Sequence, residues 1–185
     1  MITYKLRKLL QARHFSITVT FFYVHELTNL REPYKRPDLV VQKLKKEEQE
    51  RLLDVWPVKL EKIQKRFDNG DICYISLVDD RVVGYEWVQW QGRHPFQQIG
   101  NTIKIEPKDF WCYDLRVAND FQSQGISTYM NWYLLSEKKR TGFQRAWEYT
   151  DSKNFSNQRA LEKSGFVLKR KIYSLKYDNS FLKLF

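Results

Sequence analysis

Residues 119–135, NDFQSQGISTYMNWYLL, place a polar loop with a single glycine directly before a helical pattern. From Ile126 onward, apolar side chains recur at spacings of three and four residues, which predicts an amphipathic helix. Backbone N–H groups in the first turn of a helix lack partners and lie at the positive end of the helix dipole, so such a turn favours an anion. We therefore predict a phosphate-binding loop at residues 122–127, although an ordinary strand-to-helix loop containing Gly125 has the same local pattern.

Strand-like runs lie on both sides of this segment. FWCYDLRV (residues 110–117) precedes the loop and RAWEYT (residues 145–150) follows the helix, which predicts a strand–helix–strand crossover. Upstream, residues 71–90 contain two extended runs joined by Asp79-Asp80-Arg81, a pattern typical of an antiparallel hairpin. The combination predicts an α/β (α+β) fold, with a mixed, mostly antiparallel central sheet and helices on both faces.

The elements further from the crossover follow from the same patterns. We predict a charged helix at 45–55, a second helix that ends at Asn69-Gly70, a loop at 91–108, a short helix at 156–164 and a final strand or strand pair at 166–177. The crossover and its loop are the expected ligand site, because ligands of such sheets bind where strand ends diverge beside a helix start.

The N-terminal region is predicted to form a helix-plus-strand arm. Residues 1–15 are Leu-rich and basic, SITVTFFYV (16–24) predicts a strand, and the proline-containing stretch at 29–39 predicts a boundary. We therefore expect an arm at 1–38 and a main domain at 39–185. The helix at 1–15 is expected to pack on the main domain or on a second subunit, and peripheral contact with a membrane surface is the alternative.

Composition narrows the classes of protein that fit. The 185 residues suit one compact unit, and the net charge of +10 favours anionic partners without choosing among them. Cys73 and Cys112 lack a second cysteine or histidine at metal-ligand spacing, so we expect buried thiols and no metal site. The N-terminus lacks the pattern of a signal peptide, and we expect a cytoplasmic protein.

A second motif, NFSNQRALEKSGF at residues 154–166, follows the loop by one strand. With LRV and QSQGIS before it, the pair resembles the GNAT superfamily of acyl-CoA-dependent N-acyltransferases. In the first motif Gln122 and Gly125 match, Ser127 takes the place of a small residue and Gln124 replaces a frequent arginine. In the second motif the matching residues are Asn154, Lys163, Gly165 and Phe166. The resemblance covers residues 39–178.

The resemblance implies acetyl-CoA as the co-substrate and a set of residues that bind it. The strand that ends at residues 115–117 would pair with the pantetheine arm, the loop would hold the pyrophosphate, and the second motif would lie along the thiol end. The implied residues are Leu115, Arg116 and Val117; Gln122, Ser123, Gln124, Gly125, Ile126 and Ser127; and Asn154 and Asn157.

The resemblance does not identify the residues that would move protons. Seven residues after Asn154 the family often has a tyrosine that protonates the leaving thiolate, whereas this chain has Leu161. A strand carboxylate in an apolar setting can act as a general base. Glu86 and Asp114 are the preferred candidates and Glu148 is a third, although each can instead form an ordinary ion pair. His94 is interpreted as an exposed loop residue or as a contact for the acceptor.

We expect an N-acetyltransferase that transfers an acetyl group from acetyl-CoA to a primary amine of a small acceptor. An amino sugar in surface-polysaccharide biosynthesis is the favoured acceptor. Two other classes remain open: a non-catalytic acyl-CoA-binding protein, which would explain Leu161, and a basic nucleic-acid-binding module. The basic residues are spread over the chain and no nucleic-acid-binding motif accompanies them, so we expect no nucleic-acid partner. The sequence leaves the oligomeric state open.

Overall fold

A computed structural model describes residues 15–32, 36–96, 100–177 and 180–183. Within these residues the strands are β1 Phe15–Glu26, β2 Val40–Lys43, β3 Ile72–Val78, β4 Arg81–Gln89, β5 Arg93–Phe96, β6 Asn101–Lys104, β7 Asp109–Val117, β8 Arg145–Asp151, β9 Val167–Tyr177 and β10 Ser180–Lys183. The α-helices are α1 Leu60–Asp68, α2 Ile126–Arg140 and α3 Phe155–Lys163, and 3-10 helices span Leu27–Asn29, Lys46–Asp54 and Asn119–Phe121. The helix predicted over residues 1–15 lies outside the described residues, apart from Phe15, which begins β1.

Eight strands form one sheet in the order β10-β9-β1-β8-β7-β4-β3-β2. Neighbouring strands are antiparallel except β7 and β8, which are parallel and are connected through α2. The predicted crossover and the mixed, mostly antiparallel sheet are thereby confirmed. The predicted hairpin is the β3–β4 pair, and its turn residues Asp79 and Asp80 have φ values of 48° and 60°, as a two-residue type I′ turn requires.

Helices cover both faces of the sheet, as the sequence predicted. Strand residues alternate between the faces, so one set packs under α2 and α3 and the other packs under α1 and the 3-10 helix Lys46–Asp54. The first cluster includes Tyr74, Val88, Cys112, Leu134 and Leu161. The second includes Leu52, Ile63, Cys73, Ile75, Tyr85 and Trp87. Both cysteines are buried, free thiols, as expected.

Strand β1 lies in the middle of the sheet. It pairs with β8 on one side and with β9 on the other. Phe22 and Tyr23 are both buried and belong to clusters on opposite faces of the sheet. The break in pattern at 29–39 lies in the connection from the middle of the sheet to β2 at its edge, and a domain boundary at residue 38 stays a prediction.

Two further predictions are refined by the structure. The predicted loop at 91–108 contains a two-stranded hairpin of β5 and β6, whose inward side places Phe96 against Phe22 at a centroid distance of 4.9 Å. Short strands with a proline, as in RHPF, give a weak sequence signal. Of the two alternatives for residues 166–177, the long strand is confirmed as β9, and β10 pairs with it from beyond the predicted range.

Replacement of Phe22 by alanine should lower the free energy of unfolding by about 3–5 kcal/mol, because it removes a fully buried aromatic side chain and leaves a cavity between β1 and the β5–β6 hairpin. Urea denaturation measures this loss. Phe21→Ala, on the same strand but only partly buried, is the control and should cost less. Equal losses for the two variants would contradict a central position for β1.

Candidate active site

Strands β7 and β8 pair only at one end. Their register runs from Asp109↔Arg145 to Trp111↔Trp147 and then stops. The Asp109 carboxylate closes the paired end, because it accepts hydrogen bonds from Arg145 Nε and Trp147 Nε1, both at 2.8 Å. Beyond this point the facing strand edges have no strand partner in the part of the chain that the structure describes, and a cleft of about 1280 Å³ lies between them and the start of α2. Unpaired backbone N–H and C=O groups in a cleft require a ligand or solvent as partner.

A β-bulge in β7 accompanies this parting. The register with β4 shifts between Tyr85↔Arg116 and Trp87↔Tyr113, and Asp114 inside the bulge has a φ of 52°. Aspartate adopts the left-handed region more readily than most residues with a side chain. Because a bulge bends its strand and increases the twist, it directs the last residues of β7 away from the line of β8.

The loop before α2 has a row of free backbone N–H groups. The first intrahelical bond runs from Tyr129 N–H to Gly125 O, and among the described residues no protein acceptor lies opposite the N–H groups of 123–128. Gly125 has a φ of 79°, which favours glycine. The row suits an anion. The row of free N–H groups starts at Ser123, one residue later than predicted, because Gln122 N–H donates to Asn119 O at 3.3 Å.

Most of the residues predicted to bind the cofactor line this cleft. They are Leu115, Arg116, Val117, Gln122, Ser123, Gly125, Ile126, Ser127, Asn154 and Asn157. Gln124 is not among them, because its side chain donates to Asp120 O at 2.9 Å and its carbonyl oxygen accepts a hydrogen bond from Arg36. Its contribution is therefore restricted to its backbone N–H.

The two predicted asparagines also have structural roles. Asn154 caps α3, since its Oδ1 accepts a hydrogen bond from Asn157 N–H at 3.1 Å. The Asn157 side chain donates from Nδ2 to Glu148 Oε1 at 2.8 Å. The second motif thus orients a carboxyl group of β8, a role that the resemblance did not imply.

Glu148 lies just beyond the point where β8 parts from β7. It is 3% exposed and lines the cleft. Burial raises the pKa of its carboxyl group to about 7, and the hydrogen bond from Asn157 opposes that rise. Its second oxygen, Oε2, is buried and has no partner within the part of the chain that the structure describes. A carboxyl group with this pKa can accept a proton near neutral pH.

Glu86 lies behind Glu148, away from the cleft. It is fully buried, and its pKa is raised well above the ordinary value by burial and by the Glu148 charge, with Cys112 as a hydrogen-bond partner. With its amide oriented to satisfy both neighbours, Asn131 donates to Glu86 Oε2 at 2.9 Å and accepts from Ser164 Oγ at 3.1 Å. The structure does not support Glu86 as a base that touches substrate, because it does not line the cleft.

Asp114 lines the cleft but is already paired. Its Oδ2 lies 2.7 Å from Arg66 Nη1, and its Oδ1 lies 3.1 Å from Arg116 Nε. Both of its oxygens thus already contact a guanidinium group, and neither is left without a partner for an acceptor amine. Asp114 therefore remains a candidate, but the geometry favours Glu148.

His94 is buried rather than exposed. It is 2% exposed, lines the cleft and stacks on Trp111 with the ring centroids 4.9 Å apart. Burial lowers the pKa of the imidazole to about 4, with a smaller effect from Arg66, so the ring is neutral at pH 7. The interpretation as an exposed loop histidine is corrected: the residue belongs to β5, which folds onto the aromatic side of the sheet.

The comparisons with known proteins agree with this geometry. The Acetyltransferase (GNAT) family matches residues 27–166. The chain belongs to the GNAT acetyltransferase family. The match begins at residue 27, inside the predicted arm and directly after the end of β1. No curated protein sequence matches the chain.

Solved structures share the fold at low sequence identity. A GCN5-related N-acetyltransferase from Sphaerobacter thermophilus has 11% identity and a TM-score of 0.63, with 94% of this chain and 55% of that chain covered. The GCN5-related glucosamine N-acetyltransferase region of a fungal GH3 β-N-acetylglucosaminidase has 14% identity and a TM-score of 0.67, with 98% and 22% covered. A functionally unknown conserved protein from Staphylococcus epidermidis has 17% identity and a TM-score of 0.63, with 96% and 68% covered. This chain thus spans about half of the Sphaerobacter protein.

The position of the GNAT tyrosine is part of the hydrophobic core here. Leu161 is fully buried beside Tyr23 and Phe166, so it offers neither a proton nor a contact with the cleft. No described residue group has three or more side chains suited to hold a metal ion. None of the helices in the described ranges has the length and apolar content needed to cross a bilayer.

Glu148→Gln should change how stability depends on pH. The pKa of Glu148 rises from 4.5 to about 7 in the folded state, so this group binds its proton more tightly when folded. Its contribution to the free energy of unfolding is therefore lost as pH rises from about 4.5 to 7 and stays lost above.

Between pH 5 and pH 8 the free energy of unfolding of the wild type should fall by about 2–3 kcal/mol because Glu148 ionises, and this contribution should be absent in the variant. Denaturant unfolding at the two pH values measures the difference. Glu47→Gln, at an exposed position, is the control and should follow the wild type. Identical pH dependence for Glu148→Gln and wild type would show that Glu148 titrates normally.

Proposed function

We propose that the protein is an N-acetyltransferase that transfers an acetyl group from acetyl-CoA to a primary amine of a small acceptor. One observation carries the proposal: a single cleft combines the free N–H row at 123–128, whose residues all line it except Gln124, with a buried carboxyl group whose pKa is about 7. The first feature suits a pyrophosphate and the second suits an amine that must lose a proton.

Acetyl-CoA, when bound, supplies the acetyl group as a reactive thioester. The free N–H row and the dipole of α2 would hold its pyrophosphate. The unpaired edges of β7 and β8 would bind the amide groups of its pantetheine arm, as an added strand binds a sheet edge. Residues 115–117 supply the β7 edge, which agrees with the role that the resemblance implies.

Glu148 is the proposed base. Oε2 is the oxygen free to accept a proton from the acceptor's ammonium group, because Asn157 occupies Oε1. Glu86 has its pKa raised well above the ordinary value, so it keeps its proton while Glu148 ionises. A neutral Glu86 avoids a second negative charge in a site that already holds one. Glu86 is then a positioning residue beneath the base.

An amino sugar is the acceptor that we favour. The fungal relative in fold is named a glucosamine N-acetyltransferase region, and its 14% identity supports the shared fold alone. The polar residues that line the cleft, such as Asp71 and His94, provide the stronger support. A non-catalytic acyl-CoA-binding protein is the second candidate, because Leu161 leaves the usual position of the acid without a proton donor.

Acetyl-CoA should raise the melting temperature of the wild type, because a ligand that binds only the folded state stabilises it. Gly125→Val should abolish this shift: a β-branched residue at a φ of 79° strains the loop and places methyl groups beside the free N–H row. Gly92→Val is a matched control, since Gly92 also has a positive φ and open space around it but lies outside the cleft. If neither acetyl-CoA nor longer acyl-CoAs change the melting temperature of the wild type, the proposal is wrong.

Glu148→Gln should lower kcat by roughly two to four powers of ten and remove the rising limb of the pH–rate profile near pH 7. The melting shift with acetyl-CoA should persist, which separates catalysis from cofactor binding. Asp114→Asn should retain most of the activity. If Asp114→Asn is the variant that loses the pH limb, Asp114 is the base. If wild type binds acetyl-CoA but acetylates no amine, the binding-protein function is correct.

A further inference from the structure

The side of the cleft that faces α1 and the β5–β6 hairpin contains a second polar group of residues. Asp71 is 8% exposed and His94 is 2% exposed, and both line the cleft. Among the described side chains, Asp71 Oδ1 and His94 Nε2 are buried without a hydrogen-bond partner. A buried polar atom that lacks a partner is costly, so a site with two of them is built to receive hydrogen bonds from a ligand.

The end of α1 places Asp71. Gly70 has a φ of 80°, Gly70 N–H donates to Phe67 O, and Asp71 N–H donates to Arg66 O, so the helix stops and the chain turns into β3. Tyr113 then donates its hydroxyl to Asp71 Oδ2 at 2.6 Å. That bond holds the carboxyl group and leaves Oδ1 as the free acceptor.

The neighbours of His94 determine which of its nitrogens is free. Gln89 Nε2 donates to the carbonyl oxygens of Gln91 and Arg93, both at 3.3 Å, so Gln89 Oε1 faces His94 Nδ1 at 2.9 Å. Nδ1 therefore carries the hydrogen, and Nε2 of the neutral ring has a lone pair. His94 is an acceptor at Nε2, as Asp71 is at Oδ1.

Tyr113 and Tyr149 lie beside His94 in the cleft. The His94 ring lies 5.2 Å from the Tyr113 ring and 5.7 Å from the Tyr149 ring, measured between centroids. Tyr149 and Glu148 are neighbours in β8, so their side chains lie on opposite faces of the sheet, and both residues line the cleft where β7 and β8 part. Three residues that line this cleft, Asp71, His94 and Glu148, thus each carry a buried acceptor atom without a partner among the described residues.

We propose that Asp71 and His94 determine acceptor specificity, and that they select a hydroxylated amine, the chemical class to which amino sugars belong. This inference rests on the proposed function. The reacting amine faces Glu148, and hydroxyl groups of the same molecule donate to Asp71 Oδ1 and His94 Nε2. An acceptor that lacks hydroxyl groups leaves both atoms unpaired, which is the arrangement that discriminates most strongly against an analogue.

The test uses three amines of related shape: cyclohexylamine, trans-2-aminocyclohexanol and glucosamine. Rates are expressed per unprotonated amine. For the wild type, kcat/KM should rise with the number of hydroxyl groups, by roughly 10-fold to 100-fold for each buried acceptor atom that is satisfied. Wild-type preference for cyclohexylamine would overturn the proposal.

Two variants assign the effect to the named atoms. Asp71→Asn keeps the shape and the bond from Tyr113 but presents an N–H donor to the cleft, and His94→Phe keeps the stacking on Trp111 without a nitrogen. Each should reduce the ratio of glucosamine to cyclohexylamine kcat/KM by about 10-fold or more, through the KM of glucosamine. The KM of acetyl-CoA should not move. Asp68→Asn, on an exposed carboxylate of α1 outside the cleft, is the matched control.

Binding alone separates this inference from the proposed function. Glucosamine without acetyl-CoA should raise the melting temperature of the wild type and not that of folded Asp71→Asn. An unchanged glucosamine preference in both folded variants overturns the role of Asp71 and His94. Acetylation of none of the three amines, with acetyl-CoA still stabilising the protein, overturns the acceptor class. Absence of any stabilisation by acetyl-CoA instead overturns the proposed function, and this inference with it.

Discussion

The parting of β7 and β8 is the constraint on which the rest of the site depends. Two parallel strands that pair over three residues and then separate leave backbone N–H and C=O groups unpaired in the middle of a sheet. Asp109 fixes the closed end through Arg145 and Trp147, and the bulge at Asp114 bends the open end. The cleft therefore lies inside the sheet, with β4 paired to β7 on one side and β1 paired to β8 on the other.

Charge in that cleft is arranged by burial. Glu86 and Glu148 come from neighbouring parts of the sheet and each has a raised pKa, because both are removed from solvent. Asn131 donates a hydrogen bond to Glu86 and Asn157 donates one to Glu148, so each carboxyl group has a fixed orientation. Asp114 has two arginine partners instead and lacks this environment. Three strand carboxylates that look alike in sequence therefore lie in three different environments.

Local patterns predicted the elements well. The glycine turn before α2, the Asp79-Asp80 hairpin and the helix stop at Asn69-Gly70 all depend on residues within one turn of each other, so the sequence contains the whole cause. The hairpin of β5 and β6 was missed, because its strands have four residues each and pack through distant aromatic residues. The burial of His94 was missed for the same reason, because it depends on stacking against Trp111, which is distant in the sequence.

The sequence by itself determined the mixed sheet, the crossover through α2, the glycine-containing loop before it and the family resemblance, since helix and strand periodicity and the order of two motifs are properties of the chain. Only the tertiary structure decided that β1 lies between β8 and β9, that Glu148 rather than Glu86 lines the cleft, and that Asp71 Oδ1 and His94 Nε2 lack partners. Those outcomes depend on which strands become neighbours and where they part, because burial and hydrogen-bond satisfaction are set by contacts between residues far apart in the chain.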